Sequence, residues 1–178
     1  MDALPLHPKL VHLPVALALL MPLVSAGLLL AWVRDLLPRR AWIVALALQA
    51  VLVASAFAAM ETGEDEENRA EEVVPESAIG EHAEAAEAFT YTAGGVLLLF
   101  LAASLLPSES SARKAGVAAV AGSLVVLFLG YRAGHAGGEL VYQHGACKAY
   151  GEKAGARHAG ERPGHRADQG DDDDDDAK

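Results

Sequence analysis

The sequence predicts an all-α integral membrane protein, an up-down four-helix bundle. The first observation is the presence of four apolar stretches without Asp, Glu, Lys or Arg, at residues 10–33, 41–60, 88–106 and 115–131. The second is their length, 24, 20, 19 and 17 residues, because about 20 apolar residues cross a bilayer as a helix. The third is that nearly all charge lies between or after them. We expect a transmembrane domain over residues 1–146 and a disordered acidic tail over residues 147–178.

The first stretch follows a histidine- and proline-containing segment at residues 7–14. Its alternative interpretation is a signal peptide cleaved near Val24-Ser25-Ala26. A retained span is favoured, since the amino-terminal region has a single lysine, Lys9, and the apolar run continues past that site to Trp32. Trp32 and Trp42 flank the first loop, where tryptophan typically anchors a helix at the membrane interface.

The second and third stretches are joined by residues 61–87, which are rich in Glu and Ala. Pro75 breaks this segment and suits the first turn of a new helix. We therefore expect spans 2 and 3 to extend into a helical hairpin outside the membrane, with its turn near Val74-Pro75. His82 is then placed roughly opposite Glu67. A solvated acidic loop is the alternative.

The fourth stretch leads into a glycine-rich segment. Gly130, Gly134 and Gly138 recur every four residues and form a bare helical stripe that permits close approach of a helix or a flat ligand. His135 and Glu139 lie on a neighbouring stripe.

Four spans place both termini on one side of the membrane. The opposite side has two short loops, about residues 34–40 and 107–114, whose basic residues favour the cytoplasm. The histidines of the helix ends then gather on the outer side together with several glutamates. The candidate metal ligands are His7, His12, Glu64, Glu67, His82, His135, Glu139 and His144. Mixed imidazole and carboxylate ligands suit iron, copper or zinc.

Haem b is the other candidate cofactor, and it needs two imidazoles at one depth on opposed helices. His12 and His82 are a possible pair, and His135 beside the glycine stripe is the third candidate. His82 precedes the third stretch by six residues, or about 9 Å at the helical rise. A haem bound by His82 would therefore lie at the membrane interface and not within the bilayer. A metal ion is more compatible with the position of His82 above the third span.

Four short motifs resemble the bacterial membrane family catalogued as domain of unknown function 2231. They are the segments at His7 to Pro14, Thr62 to Glu64, His82 to Glu84 and Gly137 to Gly145. The resemblance covers about residues 4–147 and implies four spans and the bacterial inner membrane. Together with the basic short loops, this predicts that both termini lie on the periplasmic or external side. It implies no agreed activity, although the family's members loosely resemble small membrane cytochromes.

Several classes of function are disfavoured by the composition. The formal charge of −10 excludes a basic nucleic-acid binder, and no phosphate-binding glycine motif indicates a nucleotide site. No nucleophile with a positioned base points to an enzyme, and no span carries a charge at mid-membrane, as an ion path would. We expect the protein to contact membrane lipids. We also expect it to be a redox-linked electron-transfer subunit with an external His/Glu metal or haem site. The alternative is a cofactor-free accessory or scaffold subunit among other subunits of a larger complex.

Overall fold

The computed structural model describes residues 7–71 and 74–144, without the side chains of residues 65–70. This part of the chain is helical and contains no strand. Its elements are α1 (His7–Leu10), α2 (His12–Val33), a 3-10 turn (Arg39–Trp42), α3 (Ile43–Ala70), α4 (Glu76–Leu105) and α5 (Glu109–Tyr142). The acidic tail and Cys147 lie outside the described residues, so the domain division and the disorder of the tail stay predictions.

Four helical segments are long and apolar enough to cross a membrane, as the sequence predicts. The first comprises α1 and α2, which only Val11 separates. The amide of Val11 donates to the carbonyl of His7 at 3.1 Å, and that of Val15 donates to the carbonyl of Val11 at 3.2 Å. The two helices therefore run on as one nearly continuous segment.

The helices form a bundle in which α5 packs against α4 and α2, and α3 packs against the same two helices. Short connections make successive helices antiparallel. We call the end where α2 begins and α5 ends the terminal end, and the end with the two short connections the loop end.

The core of the bundle consists of residues spaced alternately three and four apart. On α5 these are Ala112, Gly116, Ala119, Ser123, Val126 and Gly130, all of them buried. This spacing is typical of helices that pack at small crossing angles, and small residues let the backbones approach closely. Large apolar side chains point outward, with Leu23 73% and Leu98 65% exposed. An apolar exterior of this kind suits contact with lipid.

Two tryptophans close the loop end of the core. Trp42 stacks on Phe100 with ring centroids 5.2 Å apart and donates its indole N–H to the Phe100 carbonyl at 3.2 Å. Trp32 donates to the Glu109 carboxylate at 2.7 Å. Both indoles are buried within the bundle, so the expectation that they face the interface as lipid anchors is wrong. The reason is that each indole N–H finds its acceptor inside the protein.

Arg39 joins the 3-10 turn to the carboxyl end of α4. Its guanidinium donates to the carbonyls of Ala103, Ser104 and Leu106 at 2.7–3.2 Å. These are carbonyls of the last helical turn or just beyond it, where the helix has few amide donors of its own and its dipole favours a cation. Arg39 therefore caps α4 and fixes the loop end.

Gln49 is a fully buried polar residue in the first third of α3, near the middle of the uncharged stretch 41–60. Its side-chain amide nitrogen donates to the Ala93 carbonyl of α4 at 3.0 Å. Its carbonyl oxygen Oε1 has no hydrogen-bond partner among the described residues. The Gln49 contact therefore fixes the position of α3 against α4 while leaving one buried acceptor unsatisfied.

The connection between α3 and α4 lies at the terminal end. Helix α3 continues to Ala70 and α4 begins at Glu76, with Pro75 as its N-cap residue. Both helices thus extend beyond the uncharged stretches 41–60 and 88–106. Residues 72–73 are outside the described part, and projection of a hairpin from the membrane stays a prediction.

Candidate functional site

Two histidines meet at the terminal end of the bundle. The rings of His7, on α1, and His82, on α4, have centroids 6.1 Å apart and planes at 83°, an edge-to-face contact. We call these residues the histidine pair. Both were candidates from the sequence, although the ring beside His82 is that of His7 and not that of His12.

Each member of the pair forms a hydrogen bond to the backbone of another helix. Nδ1 of His7 lies 2.7 Å from the Ala59 carbonyl oxygen of α3, and Nδ1 of His82 lies 3.1 Å from the Ala133 carbonyl oxygen of α5. A carbonyl oxygen only accepts, so Nδ1 carries the hydrogen in both rings. In the neutral imidazole the lone pair is then on Nε2. The two bonds connect α1 with α3 and α4 with α5.

Glycine makes room for both rings. A Cβ atom on Gly63 would lie 3.1 Å from Cε1 of His7, and one on Gly137 would lie 3.0 Å from Cε1 of His82. The second contact repeats a core contact one heptad away, since a Cβ on Gly130 would lie 3.1 Å from the Phe89 ring. His82 therefore occupies a core position of the bundle.

The environment of His82 favours its neutral form. His82 precedes the uncharged stretch 88–106, which the sequence predicts to be the part of α4 within the membrane. Burial lowers the pKa of its imidazole below the ordinary value of 6.5, and the nearby His7 lowers it further, while the bond to Ala133 acts in the opposite direction. Removal from water disfavours the charged ring. His82 is consequently a neutral imidazole at pH 7.

The other candidates lie apart from the pair. His12 and His144 are exposed, and Glu64 is exposed one residue after Gly63. The side chain of Glu67 lies outside the described residues, so its placement opposite His82 stays a prediction. Within the described residues no group of three or more His, Cys, Asp or Glu side chains is arranged to hold a metal ion.

His135 and Glu139 belong to an open groove between α4 and α5. The groove has a volume of about 560 Å³ and is also lined by Glu81, Glu84 and Arg132. Nε2 of His135 lies 3.6 Å from the Glu139 carboxylate, and the His135 ring stacks on Tyr131 at 6.0 Å. We call this feature the polar groove. The predicted cluster of histidines is thus divided into a packed pair and an exposed groove.

The glycine stripe of α5 is divided in the same way. Gly130 packs inside the bundle, whereas Cβ atoms on Gly134 and Gly138 would have nothing within 4 Å. Gly137, which the stripe omits, faces His82. The signal that finds these positions is the three-and-four spacing of the core, since Gly137 lies seven residues after Gly130 and His82 lies seven before Phe89.

The fold and the apolar exterior define a multi-pass membrane protein with four helical spans. The chain belongs to the family described as predicted membrane protein (DUF2231), whose model matches residues 3–149. The resemblance seen in the sequence motifs is thereby confirmed. No curated protein and no solved structure matches the chain.

Proposed function

We propose that this protein is a redox-linked membrane subunit that binds a transition-metal ion at the histidine pair. The observation that supports the proposal is that both Nδ1 atoms donate to backbone carbonyls of neighbouring helices. Metal-binding histidines typically donate the second ring N–H to a carbonyl or carboxylate, which fixes the ring and directs the other nitrogen toward the metal.

The distance between the rings supports one shared ion. A bond from zinc to a histidine nitrogen is about 2.0–2.1 Å long. Two such bonds together with the distances from each nitrogen to its ring centre span at most about 6.5 Å, and the centroids of His7 and His82 are 6.1 Å apart, so the separation is within reach of one ion. Iron or copper at this position carries electrons, whereas zinc does not change oxidation state.

A metal ion fits the pair better than haem b does. A macrocycle needs a flat space between its two axial imidazoles. The two rings are in direct edge-to-face contact, and the backbones of Gly63 and Gly137 lie against them. Haem therefore requires the rings to separate, while an ion requires only that they turn.

Elemental analysis and a visible spectrum of the detergent-purified full chain test the proposal. We expect about one iron or copper ion per chain after loading, with no Soret band. His82→Asn should abolish the bound metal, because asparagine replaces the Nδ1 donor and not the Nε2 lone pair. The matched control is His12→Asn on an exposed histidine, which should leave metal content unchanged. Wild-type protein that stays metal-free after loading would refute the site, and a Soret band would assign it to haem.

A cofactor-free accessory subunit is the second candidate. The observation that favours it is the outward position of Gly134 and Gly138, which offer a bare surface to a helix of another membrane protein. In this role the histidines only join helices. In that case His82→Asn should keep the free energy of unfolding of the wild type, whereas His82→Ala should lower it. Neither the wild type nor the two variants should bind metal. A native gel should show a larger complex that Gly134→Leu dissociates and the lipid-facing Phe128→Leu does not.

A further inference from the structure

The polar groove lies at the boundary of the apolar part of the bundle. Ala88, which begins the third uncharged stretch, and Tyr131, which ends the fourth, both line it. The remaining lining residues of α4 all precede Ala88, and those of α5 all follow Tyr131. The ends of the uncharged stretches therefore predict that the groove lies at the depth of lipid headgroups, next to the apolar helix faces that would contact acyl chains.

The groove contains charges of both signs that do not neutralise each other. Three carboxylates, those of Glu81, Glu84 and Glu139, line it together with the guanidinium of Arg132. Among the described residues Arg132 makes no ion pair or hydrogen bond, and neither do Glu81 and Glu84. A ligand that carries both an anionic and a cationic group is complementary to this arrangement.

We propose that the polar groove binds the headgroup of a phospholipid with a primary amine, phosphoethanolamine in chemical terms. The phosphate accepts hydrogen bonds from Arg132, since guanidinium matches phosphate geometry. The ammonium donates to the carboxylates of α4 and α5, and the acyl chains continue along the apolar surface below Ala88. This inference is independent of the metal at the histidine pair.

Headgroup chemistry determines which lipids the groove distinguishes. A choline headgroup keeps the positive charge but has no N–H to donate, so it loses the hydrogen bonds to the carboxylates. A glycerol headgroup has no positive charge, and the excess of carboxylates over guanidinium repels its lipid's phosphate. We expect phosphatidylethanolamine to bind about tenfold more tightly than phosphatidylcholine, and phosphatidylglycerol to bind more weakly than either.

The experiment is a lipid titration of the delipidated full chain in neutral detergent at pH 7, followed by native mass spectrometry. Phosphatidylethanolamine, phosphatidylcholine and phosphatidylglycerol with identical acyl chains are compared. The expected order supports the groove as a zwitterion site. Equal affinities for the amine and choline lipids would overturn it, and so would tighter binding of phosphatidylglycerol.

Two sets of variants test which residues bind the phosphate of the headgroup and which bind its ammonium. Arg132→Ala should weaken both zwitterionic lipids about tenfold and leave their ratio unchanged, because only the phosphate contact is lost. The triple change Glu81→Gln, Glu84→Gln and Glu139→Gln should reduce that ratio toward one. Matched controls are Arg40→Ala, exposed at the loop end, and Glu87→Gln, exposed on α4 outside the groove. Lipid affinities of the groove variants equal to those of the controls would overturn the assignment.

Discussion

Replacement of Gly137 by alanine tests whether His82 is packed as tightly as the structure indicates. An added Cβ would lie 3.0 Å from Cε1 and 3.3 Å from Nδ1 of the His82 ring. The ring must then shift by a few tenths of an ångström, and its bond to the Ala133 carbonyl limits that shift. Gly138 provides a matched control, because a Cβ there has nothing within 4 Å.

The two substitutions share one favourable contribution and differ in one unfavourable contribution. Alanine in place of glycine within a helix stabilises it by about 0.8–1.0 kcal/mol, and both positions gain this amount. Overpacking against a fixed side chain costs about 1–3 kcal/mol, and only Gly137→Ala incurs it. We therefore expect Gly138→Ala to raise the free energy of unfolding and Gly137→Ala to lie about 1–3 kcal/mol below it.

Reversible unfolding in mixed micelles, followed by circular dichroism, measures the difference. A third protein, Gly137→Ala combined with His82→Ala, removes the ring that the new methyl group meets. In that background the alanine at position 137 should become stabilising, as at Gly138. Equal stabilities of the two single variants would refute the described contact between α4 and α5.

Three further predictions concern other parts of the bundle. Arg39→Ala should lower the free energy of unfolding by about 1.5–3 kcal/mol, because α4 loses the guanidinium that caps its carbonyls. The control Arg40→Ala should have almost no effect, and thermal unfolding in detergent measures both variants. Gln49→Met should leave stability unchanged or raise it by about 1 kcal/mol, because it removes a buried acceptor without a partner, whereas a loss above about 2 kcal/mol would mean that Oε1 accepts a hydrogen bond in the folded protein. Because folding lowers the pKa of His82, the unfolded chain binds the proton more readily than the folded protein does. The contribution of neutral His82 to the free energy of unfolding is therefore fully present above pH 6.5 and decreases as the pH falls below that value. His82→Asn should remove this part of the decline in an unfolding series from about pH 7.5 to 5.5.

The four spans could be predicted from the sequence because hydrocarbon excludes charge over a fixed thickness. The uncharged stretches located every span, and Pro75 located the start of α4. The inward faces could not be predicted from hydropathy, since lipid is as apolar as the core. Leu23 and Met21 are both apolar, yet Leu23 is 73% exposed and Met21 is 1% exposed. On α5 residue size distinguishes the faces, because five of its six core positions hold Gly, Ala or Ser and only Val126 is larger.

The candidate site could be predicted in its residue types and its end of the bundle, but not in its pairing. Depth along a helix is read from the sequence, and rotation about its axis is not. His12 was therefore paired with His82, while the structure turns His12 to the surface and places His7, one and a half turns earlier, against the ring. The rotation of the first span is set by tertiary packing, such as the fit of the His7 ring beside Gly63.

The two ends of the core are not equivalent. At the loop end the stacked rings of Trp42 and Phe100 are at most 1% exposed, and Ala45 and Leu52 above them are fully buried. The interior of the bundle is therefore closed by packed side chains at the loop end, next to the two short connections. Within the described residues the packed core therefore offers an ion or a water molecule no passage between the histidine pair and the loop end.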